Sequence, residues 1–236
     1  MFITRRRTLA TLAAAPTILP TRVRAQFAQA RLALVLAVDV SGSINDVRYN
    51  LQKEGILDAL VADEILDIIE QIPGGIMFSL FEWGSEQYLQ VPWVNIRNID
   101  QAVEARNLYR SQRRGAHGEH THIGRALLYA QKLLGQLKGS ATRMVVDVSG
   151  DGDDNQNDRG HTLVWARREL IEKGVTINGL PILVVGDPQA KQPLEGLDTY
   201  YREKVIGGEG SFCMPAHGFR DFARAIKAKM GHELSS

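Results

Sequence analysis

Leu32-Ala33-Leu34-Val35-Leu36-Ala37-Val38 runs without a polar residue straight into Asp39-Val40-Ser41-Gly42-Ser43. A continuous apolar run of this length reads as a strand covered on both faces, as in a parallel sheet sandwiched between helices. Side chains alternate along an extended chain, so Asp39 and Ser41 share a side, and Gly42 permits a sharp turn. The first strand therefore delivers a carboxylate and two hydroxyls to its carboxyl end.

The same punctuation recurs outward from this stretch. Ile76–Phe81 and Met144–Val148 read as further buried strands, and Tyr88–Val91 as a short one near an edge. Val175 through Val185 reads as a fifth strand disturbed by Pro181, and Phe212–Met214 as a sixth. Between them, Ile123, Ala126, Leu127, Ala130, Leu133, Leu134 and Leu137 fall on one helical face, ended by Gly139. Leu163, Ala166, Leu170 and Ile171 mark another helix, Phe219, Phe222, Ala223 and Ile226 the last, and helices are also expected after Asn45 and Asp100. Strand–helix alternation predicts an α/β fold: a doubly wound, mostly parallel open sheet, Rossmann-like, with helices on both faces. In such sheets the site lies outside the carboxyl ends of the strands.

Composition is that of an ordinary globular chain, with 44% hydrophobic and 23% charged among 236 residues. It excludes a disordered or disulfide-stapled class, since there is a single cysteine, Cys213, which reads as a buried small hydrophobe. The first 25 residues differ: Arg5, Arg6, Arg7, Arg22 and Arg24 appear with no acid, around a mildly apolar stretch broken by Pro16 and Pro20. Val23-Arg24-Ala25 then offers a small-residue cleavage site. Residues 1–25 thus read as a signal peptide, and Thr4-Arg5-Arg6-Arg7-Thr8-Leu9 resembles a bacterial twin-arginine (Tat) signal. Residues 26–236 are expected to form one domain, periplasmic or secreted. Without the leader, 23 basic residues face 27 acidic ones, a formal charge of −4. That balance argues against broad nucleic-acid binding. No run is long and apolar enough for a membrane span.

Two further segments join the Asp39 turn. The strand at 144–148 leads into Ser149-Gly150-Asp151-Gly152, and Gly118-Glu119-His120-Thr121-His122-Ile123-Gly124 delivers Thr121 ahead of the strongest helix pattern. Asp39, Ser41, Ser43, Thr121 and Asp151 would gather two carboxylates and three hydroxyls on neighbouring loops. A hard, oxygen-seeking divalent cation resolves their mutual repulsion. Neutral hydroxyls leave such an ion much of its charge, so it can take an acidic group from another molecule.

Asp39-x-Ser41-x-Ser43, Thr121-x-Ile123-Gly124 and Asp151-Gly152 after an apolar strand, in this order, resemble the von Willebrand factor type A (VWA) domain with its metal-ion-dependent adhesion site (MIDAS). Glu82-Trp83, Pro92-Trp93, Ile177–Ile182 and Tyr200-Tyr201 look like a bacterial, exported subfamily of these domains with no assigned biochemical role. The resemblance implies that Ser41, Ser43 and Thr121 coordinate Mg²⁺, with Mn²⁺ or Ca²⁺ as substitutes, while Asp39 and Asp151 act directly or through bound water. It implies a protein partner that offers an acidic residue. One position departs from it: the family usually has Thr-Asp-Gly after this strand, and here Gly150 takes the threonine's place, which loosens the backbone that carries Asp151.

Other signals point elsewhere. Asp151–Asp158 lacks the glycine and glutamate of an EF-hand and reads as a solvated acidic loop. His117, His120 and His122 sit in a loop without helical ligand spacing, so zinc is not expected and exposed rim histidines are. Arg110, Arg113 and Arg114 read as a solvated face or a rim attracting acids. The leading expectation is a metal-dependent binding module. The alternative is a metal-dependent hydrolase or phosphatase using Asp39, although Ser41 stands where a haloacid-type phosphatase would want a second acid, and no Gly-x-Ser-x-Gly elbow or Walker loop occurs.

Overall fold

The computed structural model describes residues 30–115, 118–137, 139–155, 159–184 and 196–236. The leader at 1–25, His117 and the strand end expected at Val185 lie outside them. A five-stranded sheet has the order β3-β2-β1-β4-β5, built from β1 (Ala30–Asp39), β2 (Ile76–Trp83), β3 (Gln87–Ile96), β4 (Ala141–Gly150) and β5 (Val175–Pro181). All neighbours are parallel except β3, which runs antiparallel to β2.

The helices are α1 (Asp46–Ala59), α2 (Asp63–Gln71), α3 (Ile99–Ser111), α4 (Ile123–Leu137), α5 (His161–Glu172), the single turn α6 (Leu197–Tyr200) and α7 (Phe222–Ser235). A wider turn at Tyr201–Val205 extends α6. Strand alternation divides the core. Leu32, Leu34, Leu36 and Val38 pack with α1, α2, α3 and α7, whereas Ala33, Val35 and Ala37 pack with α4, α5 and the 197–205 segment. Both faces are covered, so β1 can be apolar throughout.

Four expectations need correction. β3 is a ten-residue strand rather than a short one. It runs through Pro92 because an edge strand tolerates a missing N–H on its open side. The fifth strand stops at Pro181. Phe212–Met214 is not a sixth strand: it forms an isolated bridge to β5, with Gly179 N–H donating to Phe212 O (3.1 Å) and Met214 N–H to Gly179 O (2.9 Å). Cys213 is half-buried rather than buried, and burial pushes its thiol up to about 11.

α7 is tied to the sheet by buried charge. Lys229 Nζ lies 2.7 Å from Asp147 Oδ2 of β4 and donates to Glu233 Oε1 (2.6 Å), which also accepts from Asn178 Nδ2 of β5 (2.7 Å). No helix among the described residues is long and apolar enough to cross a membrane.

Candidate metal centre

The carboxyl end of β1 carries the first ligand candidates. Asp39 is fully buried, and its Oδ1 accepts from Ser41 N–H (2.7 Å), which folds the turn back over the carboxylate. Gln52 Nε2 of α1 donates to Asp39 O (3.2 Å). The turn feeds α1 through Asn45, whose side chain caps the helix by accepting from Arg48 N–H (2.9 Å). Asn45 is thus a cap, while Asp39 and Ser41 face inward.

The other two segments converge on this turn. Thr121 Oγ1 donates to Ser41 Oγ (3.4 Å), and the hydroxyl oxygens of Ser41 and Ser43 are 3.4 Å apart. Ser43 Oγ donates to Asp151 Oδ1 at 2.5 Å. The structure thus brings all five expected side chains into one contiguous set. A cleft of about 440 Å³ reaches Ser43, Thr121 and Asp151, and Glu119, Asp153 and Asn155 also line it. Asp39 and Ser41 are buried, at 0% and 1% exposure.

Loop-to-loop bonds hold this set, and several come from residues that the sequence reading passed over. Asn155 Oδ1 accepts from Thr121 N–H (2.8 Å), Asn155 N–H donates to Thr121 O (3.0 Å), and Asp154 Oδ1 accepts from Gly124 N–H (3.1 Å). The acidic loop is therefore a clasp on the threonine loop, not merely a solvated segment. Arg114 is no rim charge either. Its Nη2 donates to Val40 O (3.1 Å) and Ile44 O (2.5 Å), holding the Asp39–Ser43 turn from below, and its Nη1 reaches exposed Asp46 (3.2 Å). Buried Glu82 of β2 fixes the approach to the threonine loop, accepting from Gly115 N–H (2.7 Å), Gln90 Nε2 (2.9 Å), Tyr49 OH (2.9 Å) and Tyr109 OH (3.2 Å).

The electrostatics are those of two buried carboxyls close together. Burial, then the Asp151 charge, push Asp39 from 3.8 up to about 7. Burial also raises Asp151, against the Ser43 hydroxyl and the Arg48 guanidinium, whose Nη1 is 3.7 Å from Asp151 Oδ2. Asp39 Oδ2 is buried with no hydrogen-bond partner among the described residues. An all-oxygen set of two carboxylates and three hydroxyls, with one buried carboxylate oxygen unspent, fits a hard divalent cation. Among the described residues no group of three or more His, Cys, Asp or Glu is gathered in one place. His120 and His122 instead stack with their ring centroids 5.4 Å apart, and His122 is buried rather than exposed.

Gly150 departs from threonine for a steric reason. A Cβ there would sit 2.8 Å from Asp39 Oδ2 and 2.8 Å from the Tyr201 hydroxyl. The glycine makes room for those two atoms.

Comparisons with known proteins agree with this fold. Residues 29–236 match a family model described as protein of unknown function (DUF1194). No curated protein matches the sequence. Proximal thread matrix protein 1 from the mussel byssus superposes with a TM-score of 0.61 at 13% identity, over 88% of this chain and 49% of that one. This chain thus spans about half the mussel protein's length; a further structure of that protein has a zinc-occupied MIDAS motif (TM-score 0.59, 16% identity, 87% of this chain and 46% of that one). A von Willebrand factor type A protein from Catenulispora acidiphila gives 0.60 at 12% identity, over 87% of this chain and 43% of that one. BatB from Bacteroides thetaiotaomicron gives 0.53 at 16% identity, over 87% of this chain and 100% of that one. With the family match spanning all five strands, the chain belongs to the DUF1194 family and has the fold of a von Willebrand factor type A domain.

Proposed function

We propose that residues 26–236 form an exported, metal-dependent protein-binding module. In this reading Asp39, Ser41, Ser43, Thr121 and Asp151 hold Mg²⁺, with Mn²⁺ or Ca²⁺ as substitutes. The loaded site binds an exposed acidic residue of a partner protein, and residues 1–25 are the Tat-like leader that sends the domain to the periplasm or beyond. The observation that carries the reading is the convergence of the five oxygen-bearing residues, from three loops, into one linked set with Asp39 buried beneath it. The zinc-occupied motif of the mussel protein supports a divalent ion at this place in the fold.

When bound, the ion supplies the positive charge that an incoming carboxylate needs. The chain's own groups set how much of that charge survives. Two carboxylates offset a divalent ion, three hydroxyls add no charge, and Arg48 beside Asp151 adds a positive one, while Glu119 and Asp153 at the cleft oppose it. Ser43, Thr121 and Asp151 face the cleft by which a partner side chain enters. Arg114, Glu82 and Asn155 hold the three loops so that binding requires little reordering.

Affinity capture from bacterial envelope extracts tests the function. Wild type should retain a protein in Mg²⁺ that chelator releases and that the Asp39→Ala bait never retains. Identical retention by both baits in both conditions contradicts the reading. For the leader, fractionation of cells expressing the full chain should place wild type in the periplasm, with Arg5→Lys/Arg6→Lys left inside; equal distribution contradicts export by this route.

A further inference from the structure

Tyr201 is fully buried at the start of the turn that follows α6, and the carboxyl ends of two strands are shaped around it. In β5, a Cβ on Gly179 would lie 2.8 Å from Tyr201 Cδ1, so the glycine admits the ring. At the end of β4, a Cβ on Gly150 would lie 2.8 Å from the Tyr201 hydroxyl, so the second glycine admits its tip. The ring thus sits in a slot that threads past β5 and ends beside the metal centre.

What the tip meets there matters more than the slot. The point that a Gly150 Cβ would occupy is also 2.8 Å from Asp39 Oδ2. Both the Tyr201 hydroxyl and Asp39 Oδ2 are buried with no hydrogen-bond partner among the described residues. A phenol is a donor and a carboxylate oxygen an acceptor, so the two unspent groups are complementary. Leaving both unsatisfied would cost free energy that a phenylalanine at 201 would avoid. The other Asp39 oxygen is already held by Ser41 N–H at 2.7 Å.

We propose that Tyr201 is a positioning residue of the metal centre: its hydroxyl and Asp39 Oδ2 are not hydrogen-bonded to each other in this structure, but both border the space that Gly150 leaves open, and closing that space lets the hydroxyl donate to Oδ2 and fix the orientation of the Asp39 carboxylate. The inference rests on the reading of the five side chains as a cation site. Tyr201 makes no contact with the incoming partner in this account and acts only through Asp39.

The test is Mg²⁺ titration calorimetry on wild type and Tyr201→Phe, with melting of both in chelator. Phenylalanine keeps the ring in its slot, so the chelated variant should melt close to wild type while its Mg²⁺ affinity falls about tenfold, the usual worth of a hydrogen bond to a charged group. A purely structural tyrosine gives the opposite pattern, a lower melting temperature with unchanged affinity, and that result overturns the proposal. Should Tyr201→Phe not fold, Gly150→Ala probes the same space with the tyrosine intact: a methyl group there must displace Asp39 Oδ2 or the hydroxyl, and unchanged Mg²⁺ affinity overturns the proposal. If wild type itself takes up no Mg²⁺, the cation-site reading fails and this inference with it, whereas binding by wild type matched by Tyr201→Phe removes this inference alone.

Discussion

Ser43 Oγ donates to Asp151 Oδ1 at 2.5 Å, joining two loops 108 residues apart in the chain. Ser43 comes from the turn after β1 and Asp151 from the end of β4, neighbouring strands whose carboxyl ends point the same way. The same turn reaches Thr121 through Ser41. The protein thus brings the oxygen set together through backbone topology and side-chain hydrogen bonds.

Ser43→Ala follows directly from that contact. Loss of the hydroxyl should weaken Mg²⁺ binding about tenfold or more, because a ligand and a loop tie vanish together. Stability in chelator should fall only about 1 kcal/mol, since Ser43 is half-buried. Calorimetry and urea melts in chelator check both. A large stability loss with unchanged metal binding would mean that Ser43 is only a structural tie.

Arg114→Ala tests the support beneath the turn. The guanidinium donates to Val40 O and Ile44 O, so truncation leaves two inward carbonyls short of a donor. We expect about 1–3 kcal/mol of destabilisation in urea melts and a several-fold weaker Mg²⁺ affinity. An unchanged midpoint would restore Arg114 to the solvated face that the sequence suggests.

Lys229→Met removes the cation that faces Asp147 and Glu233 under α7. Breaking a buried pair from one side leaves uncompensated charge and costs about 3–5 kcal/mol. Urea denaturation should show that loss. An unchanged midpoint would contradict a buried ion pair at Lys229.

Asp147 also sets a pH dependence. Burial, opposed by Lys229 and reinforced by Glu233, raises its carboxyl from 3.8 to about 7. The folded state therefore holds this proton more tightly than the unfolded chain does. The stability that it contributes is fully present below about pH 4 and is lost as pH rises to about 7. In chelator, the urea midpoint should fall between pH 4 and pH 7, and Asp147→Asn should fall less. Equal slopes in the two proteins would contradict the raised carboxyl.

Much of this molecule was legible in the one-dimensional pattern, for physical reasons that particular residues show. The apolar run at 32–38 had to be buried on both faces, which required covering helices and set the crossover topology. Asp39, Ser41 and Ser43 then had to sit at a strand end, and the three-motif order placed Thr121 and Asp151 beside them. The supports were harder to see, because their partners are remote in sequence. Arg114 looked like one of a surface group because its acceptors are backbone carbonyls at 40 and 44, which leave no mark in composition. Gly150 looked like slack because Tyr201, the side chain that needs the space, lies fifty residues downstream. The reach of β3 past Pro92 depends on its edge position, and local propensity does not encode that. Phe212–Met214 had strand-like residues but only an isolated bridge to pair with.

The central claim is that five converging side chains bind one hard cation. Isothermal titration of the purified protein with Mg²⁺ and Mn²⁺ reads it most directly. The account predicts saturable uptake of one ion by wild type, abolished in Asp39→Ala while the variant remains folded. No uptake by wild type, or equal uptake by Asp39→Ala, would contradict it.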